Sequence, residues 1–128
     1  MITKKYDYPG TIRETIEGKR HYSVGKEKLP SVTTILSATQ PEEKRQALQR
    51  WKQRVGDAEA TRIKNVAANR GTAMHKLIEK NILGEGYADF TTIGTQATRM
   101  ANTIIEKALP KWEVFYGTEV TQYYPGLY

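Results

Sequence analysis

At 128 residues, with 38% hydrophobic and 27% charged residues, the chain is long enough for one modest domain and too short for two. Eight Tyr, two Trp and two Phe set it apart from disordered chains, and the lack of cysteine excludes a disulfide framework, a thiolate metal site and a thiol nucleophile. Twenty Lys and Arg against fourteen Asp and Glu leave a net charge of +6, which favours a polyanionic partner, nucleic acid before an anionic membrane.

Thr11 to Glu17 alternates apolar and polar residues with period two, as does Arg20 to Val24, and Glu17-Gly18-Lys19 between them reads as a turn. The expected element is a β-hairpin over 11–24. Residues 25–28 read as a polar loop. Ser31 is placed to cap a short helix through Val32, Ile35 and Leu36. Pro41 followed by Glu42 and Glu43 suits a helix start, with acids at the positive end of the dipole. That helix should span 41–55 and bury Ala47, Leu48, Trp51 and Val55.

Gly56 should end it and Asp57 should cap the next helix, 58–83, whose apolar set is Ile63, Val66, Ala67, Met74, Leu77, Ile78 and Ile82. Asn69-Arg70-Gly71 marks a kink or cap within it. After the Gly84-Glu85-Gly86 loop, a helix over 94–109 should bury Ala97, Met100, Ala101, Ile104 and Ile105 and stop at Pro110. Residues 31–109 are therefore expected to be mostly helical. Residues 112–124 are rich in β-formers and read as one strand, or two broken at Gly117. The fold class is α+β: an N-terminal hairpin, a mostly helical middle and a C-terminal strand of an incomplete sheet, in a single domain over 1–128. So aromatic a strand wants partners on both sides, and Pro125-Gly126 is turn chemistry leading onward. The chain is expected to be the first part of a larger sheet domain.

Three features can carry chemistry. Gly71, His75 and Glu79 stand four residues apart and form one stripe along a helix. A glycine there leaves room for a backbone or ligand, and an imidazole one turn from a carboxylate can face one divalent cation. The plainer reading is an ordinary solvated His–Glu pair. The second feature is the cation-rich helix carrying Lys44, Arg45, Arg50, Lys52 and Arg54 around Trp51, followed by Arg62 and Lys64, whose cations could grip phosphates while the indole stacks on a base. The plainer reading places Trp51 in the core, and the cations do not all share one side. The third is Glu119, whose carboxylate faces either a metal or solvent. No Gly-rich phosphate loop, nucleophile elbow, HExxH or EF-hand loop is present.

Leu29-Pro30-Ser31-Val32-Thr33-Thr34-Ile35-Leu36, Leu48-Gln49-Arg50-Trp51-Lys52-Gln53-Arg54 and Arg70-Gly71-Thr72-Ala73-Met74-His75-Lys76-Leu77-Ile78-Glu79 occur in that order. This series resembles the RecB-like branch of the PD-(D/E)XK nucleases, in particular the mitochondrial genome-maintenance exonuclease and its phage and bacterial relatives, over residues 29–124. The resemblance implies a restriction-endonuclease-like αβ core, of which this chain is the N-terminal portion. It also implies hydrolysis of DNA with Mg²⁺ or Mn²⁺, typically from strand ends and often on single strands. His75 of the GxxxH element would bind or adjoin the metal, Glu79 would join the site in some members, and Glu119 would support it.

The metal in such sites lowers the pKa of a bound water and stabilises charge on the phosphate. The GxxD and (D/E)xK elements that complete the family site do not follow Glu119, so the 128-residue chain is expected to have little or no activity alone, and a downstream segment or a second chain to complete the sheet. The expected partner is DNA, contacted by Arg50, Trp51, Lys52, Arg54 and Arg70. No apolar run approaches the ~18 residues of a membrane span, the N-terminus lacks a secretory apolar stretch, and the expected compartment is the cytoplasm of a bacterial or phage-infected cell. Two other readings use the same charge: a non-catalytic DNA-binding module, and a small basic interaction domain.

Overall fold

Period-two alternation and turn chemistry act first at the N-terminal end of the chain. In the computed structural model, which describes residues 2–128, strands β1 (Ile12–Ile16), β2 (Lys19–Val24) and β3 (Glu27–Pro30) form an antiparallel sheet in the order β1-β2-β3. The fold class is α+β. Glu17 and Gly18 both have positive φ, 51° and 74°, the pattern of a type I′ turn, whose twist matches that of the strands it joins. The segment expected as a polar loop over 25–28 is instead a second tight turn running into β3. Gly25 takes φ 60° while Lys26 does not go positive, the type II′ pattern. The tight reversal sets Leu29 opposite Tyr22, and Leu29 and Val24 are buried.

Two compact units divide the described residues. One comprises Asp7–Trp51 with Val120–Tyr128. Besides the sheet it contains α1 (Val32–Ala38), capped as expected by Ser31, whose Oγ accepts the Thr34 N–H at 3.1 Å. The Ser31 N–H and the Thr34 hydroxyl both donate to the Arg20 carbonyl, at 3.1 and 2.9 Å, which ties the start of α1 to β2. At the other end of α1 the Arg45 guanidinium donates to the Ser37 and Ala38 carbonyls at 3.1 and 2.9 Å. This is a cation at the negative end of the helix dipole.

Helix α2 (Glu42–Val55) begins and ends where Pro41 and Gly56 predict, but its expected buried face is a correction. Ala47 and Leu48 are exposed, and Trp51 and Val55 are only half-buried. Apolar spacing produces burial only where another element packs on it, and among the described residues no helix or strand packs extensively along α2.

The second unit contains Lys52–Glu119 with residues up to Tyr6. Its centre is the packing of α3 (Asp57–Leu83) on α4 (Thr92–Lys107). Helix α3 is continuous through Asn69-Arg70-Gly71, with no break there. Asp57 is its first helical residue rather than its cap; Gly56, at φ 88°, occupies the cap position without a side-chain bond. Its far end closes as a Schellman motif: Gly84 is left-handed, its N–H donates to the Asn81 carbonyl, and the Glu85 N–H donates to the Lys80 carbonyl.

The core of this unit is built from small residues, Ala60, Ala73, Gly94, Ala97 and Ala101. Small side chains let two helix backbones approach closely. Ile63 and Met100, expected inside, are 37% and 41% exposed, Ala67 is also exposed, and Val66, Met74, Leu77, Ile78, Ile82, Ile104 and Ile105 are half-buried. Helix α4 starts two residues earlier than expected because the Thr91 Oγ accepts the Gly94 N–H at 3.0 Å. It ends at Lys107, before a 3₁₀ turn over Leu109–Lys111 that accommodates Pro110.

Residues 112–124 form no strand; only Phe115 enters an isolated parallel bridge with Ile2. A ladder needs a neighbour along its length, and the extended run is also broken where Glu119 turns to φ 50°. The Pro125-Gly126 turn forms as expected, closed by the Leu127 N–H on the Tyr124 carbonyl at 3.0 Å.

Candidate functional site

The middle of α3 carries the stripe singled out by its spacing. Gly71, His75 and Glu79 line one shallow groove of about 650 Å³ together with Ala68, Thr72, Lys76, Lys80 and Glu119. A helix sets residues four apart one above the other, so the stripe is a consequence of α3 running unbroken. Glu119 is contributed from outside that helix. Its Oε1 lies 3.7 Å from His75 Nδ1, and the Thr118 hydroxyl donates to Glu79 Oε1 at 3.5 Å. The 118–119 bend therefore meets α3 at two successive turns.

The backbone at this bend is unusual. Glu119 adopts φ 50°, a left-handed conformation that costs a non-glycine residue about 1–2 kcal/mol. Glycine would relieve that cost, yet the residue here is a carboxylate aimed at an imidazole. Strain of this kind concentrates at functional positions.

His75, Glu79 and Glu119 also stand on a boundary. On one side is the polar groove; on the other is a pocket of about 310 Å³ with Met74, Ile78, Ile82, Ile104, Leu109, Trp112 and Phe115 in its lining. The His75 and Glu119 side chains keep 67% and 64% of their surface exposed, so water reaches the pair from the groove side. On the groove side, Lys76 Nζ lies 4.7 Å from the centre of the Tyr87 ring, and the hydrogen bond to Glu85, reinforced by its charge, raises the pKa of Lys80. Lys76 and Lys80 are groove cations that the reading of the sequence passed over. Their signal was present in the four-residue spacing Thr72-Lys76-Lys80, a line parallel to the His75 stripe.

A methyl group at Gly71 would meet nothing within 4 Å, so no packing within the chain requires glycine there. The space beside His75 is open.

The other expected contact residues lie elsewhere. Arg70 is on α3 but outside the groove lining, and its guanidinium donates to the Gln96 side chain of α4 at 3.5 Å. Arg50, Lys52 and Arg54 are exposed on α2 beside half-buried Trp51. Arg50 and Arg54, four apart, share one side of that helix, and Lys52 points from another.

Among the described residues no group of three or more His, Asp or Glu side chains is arranged to hold a metal ion, and no helix is long and apolar enough to cross a membrane. His75 and Glu119 are thus a pair of candidate ligands rather than a full set. The chain matches no family model, and neither the curated proteins nor the solved structures contain one significantly similar to it.

Proposed function

We propose that this chain contributes to metal-dependent DNA hydrolysis, with His75 and Glu119 as two ligands of a Mg²⁺ or Mn²⁺ site, Glu79 beside them, and the α2 cations meeting DNA phosphates. The observation that carries this reading is the Glu119 carboxylate held 3.7 Å from His75 Nδ1 by a residue in the left-handed region. Two donors at that separation can both reach one ion at the ~2 Å bond lengths of Mg²⁺. Carboxylate oxygen suits Mg²⁺ and Mn²⁺, and imidazole is the softer partner. An ion bound there supplies an acidified water and charge stabilisation at a phosphate. The open space at Gly71 lets a strand approach the pair, and Lys76 adds positive charge along the groove.

On this reading the preferred substrate is a single-stranded DNA end. The test is Mn²⁺ titration followed by NMR. Mn²⁺ should broaden the His75 ring resonances first, and the broadening should be lost in Glu119→Gln. Undisturbed His75 resonances at millimolar Mn²⁺ would overturn the metal assignment. Rapid Mg²⁺-dependent cleavage by the 128-residue chain, abolished in His75→Ala, would overturn the incomplete-site reading.

A non-catalytic DNA-binding module is the second reading, favoured by the exposure of Arg50, Lys52 and Arg54 on α2. It shares one expectation with the first. Arg50→Ala and Arg54→Ala should each weaken single-stranded DNA binding and reduce the slope of log K against log salt by about 0.7. The readings separate on metal: binding that ignores both EDTA and Mn²⁺, with His75 unbroadened, supports the module.

A further inference from the structure

Strand β1 is an edge of the three-stranded sheet. It has a ladder partner on one side only, and among the described residues no hydrogen bond outside the β2 ladder reaches the backbone of Ile12–Ile16. Edge strands are normally blunted by shortness, charged side chains, Pro or a bulge. The sequence Ile12-Arg13-Glu14-Thr15-Ile16 contains no Pro, its register against β2 runs without a bulge, and its two charges, Arg13 and Glu14, are of opposite sign. Ile12 is 68% exposed and Ile16 37%, both on the face that also carries Glu14.

We infer that β1 pairs antiparallel with β1 of a second copy about a two-fold axis at Glu14, joining two three-stranded sheets into one of six strands. A two-fold pairing sets each residue opposite the one equally far from the axis, on the same face. Centred on Glu14, Ile12 faces Ile16 of the other copy, twice, and Arg13 faces Thr15. Centring on Arg13 or on Thr15 sets an isoleucine opposite Glu14 instead. In the Glu14 register Arg13 is also diagonal to Glu17 of the other copy, within reach of a long side chain.

The cost of this register is that the two Glu14 carboxylates face each other. Each brings its own compensation: Glu14 accepts the Ser23 hydroxyl at 3.1 Å and lies 3.4 Å from Lys28 Nζ. An isologous contact of this kind closes at two copies and cannot propagate. Five residues of edge pairing bury less than the ~1,000 Å² of a stable interface, so the dimer is weak and reversible, with Kd on the order of 0.1 mM.

Sedimentation of the wild-type chain from about 10 μM to 1 mM should show a monomer–dimer equilibrium. Ile12→Lys, at a position too exposed to disturb the monomer, should raise Kd about tenfold or more. The register has its own readout, because the chain lacks cysteine and a single introduced thiol is unique. Glu14→Cys meets its own copy across the axis and should oxidise to a covalent dimer at least ~10-fold faster than Arg13→Cys or Thr15→Cys, whose equivalents sit ~8 Å apart, beyond disulfide reach. A monomer at 1 mM overturns the inference. So does equal cross-linking at the three positions, or an open-ended assembly, which would mean β1 pairing with β3 of the next copy.

Discussion

Replacing Gly71 by alanine separates what the fold requires from what a ligand requires. Gly71 lies in the interior of α3, fourteen residues beyond its first residue, Asp57, with ordinary helical backbone, and a Cβ there would touch nothing within 4 Å. Only helix propensity changes within the chain, and Ala exceeds Gly by about 0.8–1.0 kcal/mol in a helix interior. Part of that gain comes from reducing the freedom of the unfolded chain. For a domain of this size it should raise Tm by about 3–5 °C and move the urea midpoint up with m unchanged. Thermal and urea unfolding followed by circular dichroism read both. The same methyl group projects beside His75, so Mn²⁺ broadening at His75 or DNA binding should weaken while stability rises. A variant no more stable than wild type refutes the open-space argument. One that is more stable but binds Mn²⁺ and DNA unchanged refutes the use of that end of the groove by a ligand.

Gly94 should respond in the opposite sense. A Cβ at this buried position would collide with the Asp89 carboxylate and carbonyl, so Gly94→Ala should cost about 1–3 kcal/mol, seen as a lowered urea midpoint; an unchanged midpoint would show that the 89–94 turn is freer than its geometry implies. Asp89 itself accepts the Thr91 hydroxyl and N–H at 2.6 and 3.0 Å, and these bonds hold its carboxyl below the usual range. A depressed folded pKa contributes stability that is present above the unfolded value and lost as pH falls through the folded one. Tm should therefore drop as pH falls below about 4, and Asp89→Asn should flatten part of that drop. Parallel Tm–pH curves for wild type and variant would exclude Asp89 as a contributor.

Local chemistry alone determined where most elements of this chain begin and end. Ser31 caps α1, Gly18 makes the first hairpin turn, Pro41 and Gly56 bracket α2, and Gly84 closes α3, because each acts on backbone groups within a few residues of itself. The cap at Thr91 was readable by the same logic, from a threonine two residues after Asp89. The Gly71-His75-Glu79 stripe was legible too, since a continuous helix is enough to align it. Burial was not. Leu48 and Trp51 have the spacing of a core face, yet α2 is left largely uncovered, while the buried seam of α3 and α4 runs through alanines and a glycine that carry almost no hydropathy signal.

The partner of His75 was decided by tertiary structure as well. Glu119 stands forty-four positions away in sequence, in a segment whose composition argues for a strand. Without a neighbour along its length the segment cannot form a ladder, and it turns at Glu119 instead. Composition named the carboxylate; only packing of the 112–119 segment against α3 sets it beside the imidazole, because contact between distant residues depends on which surfaces meet and not on the preferences of either segment alone.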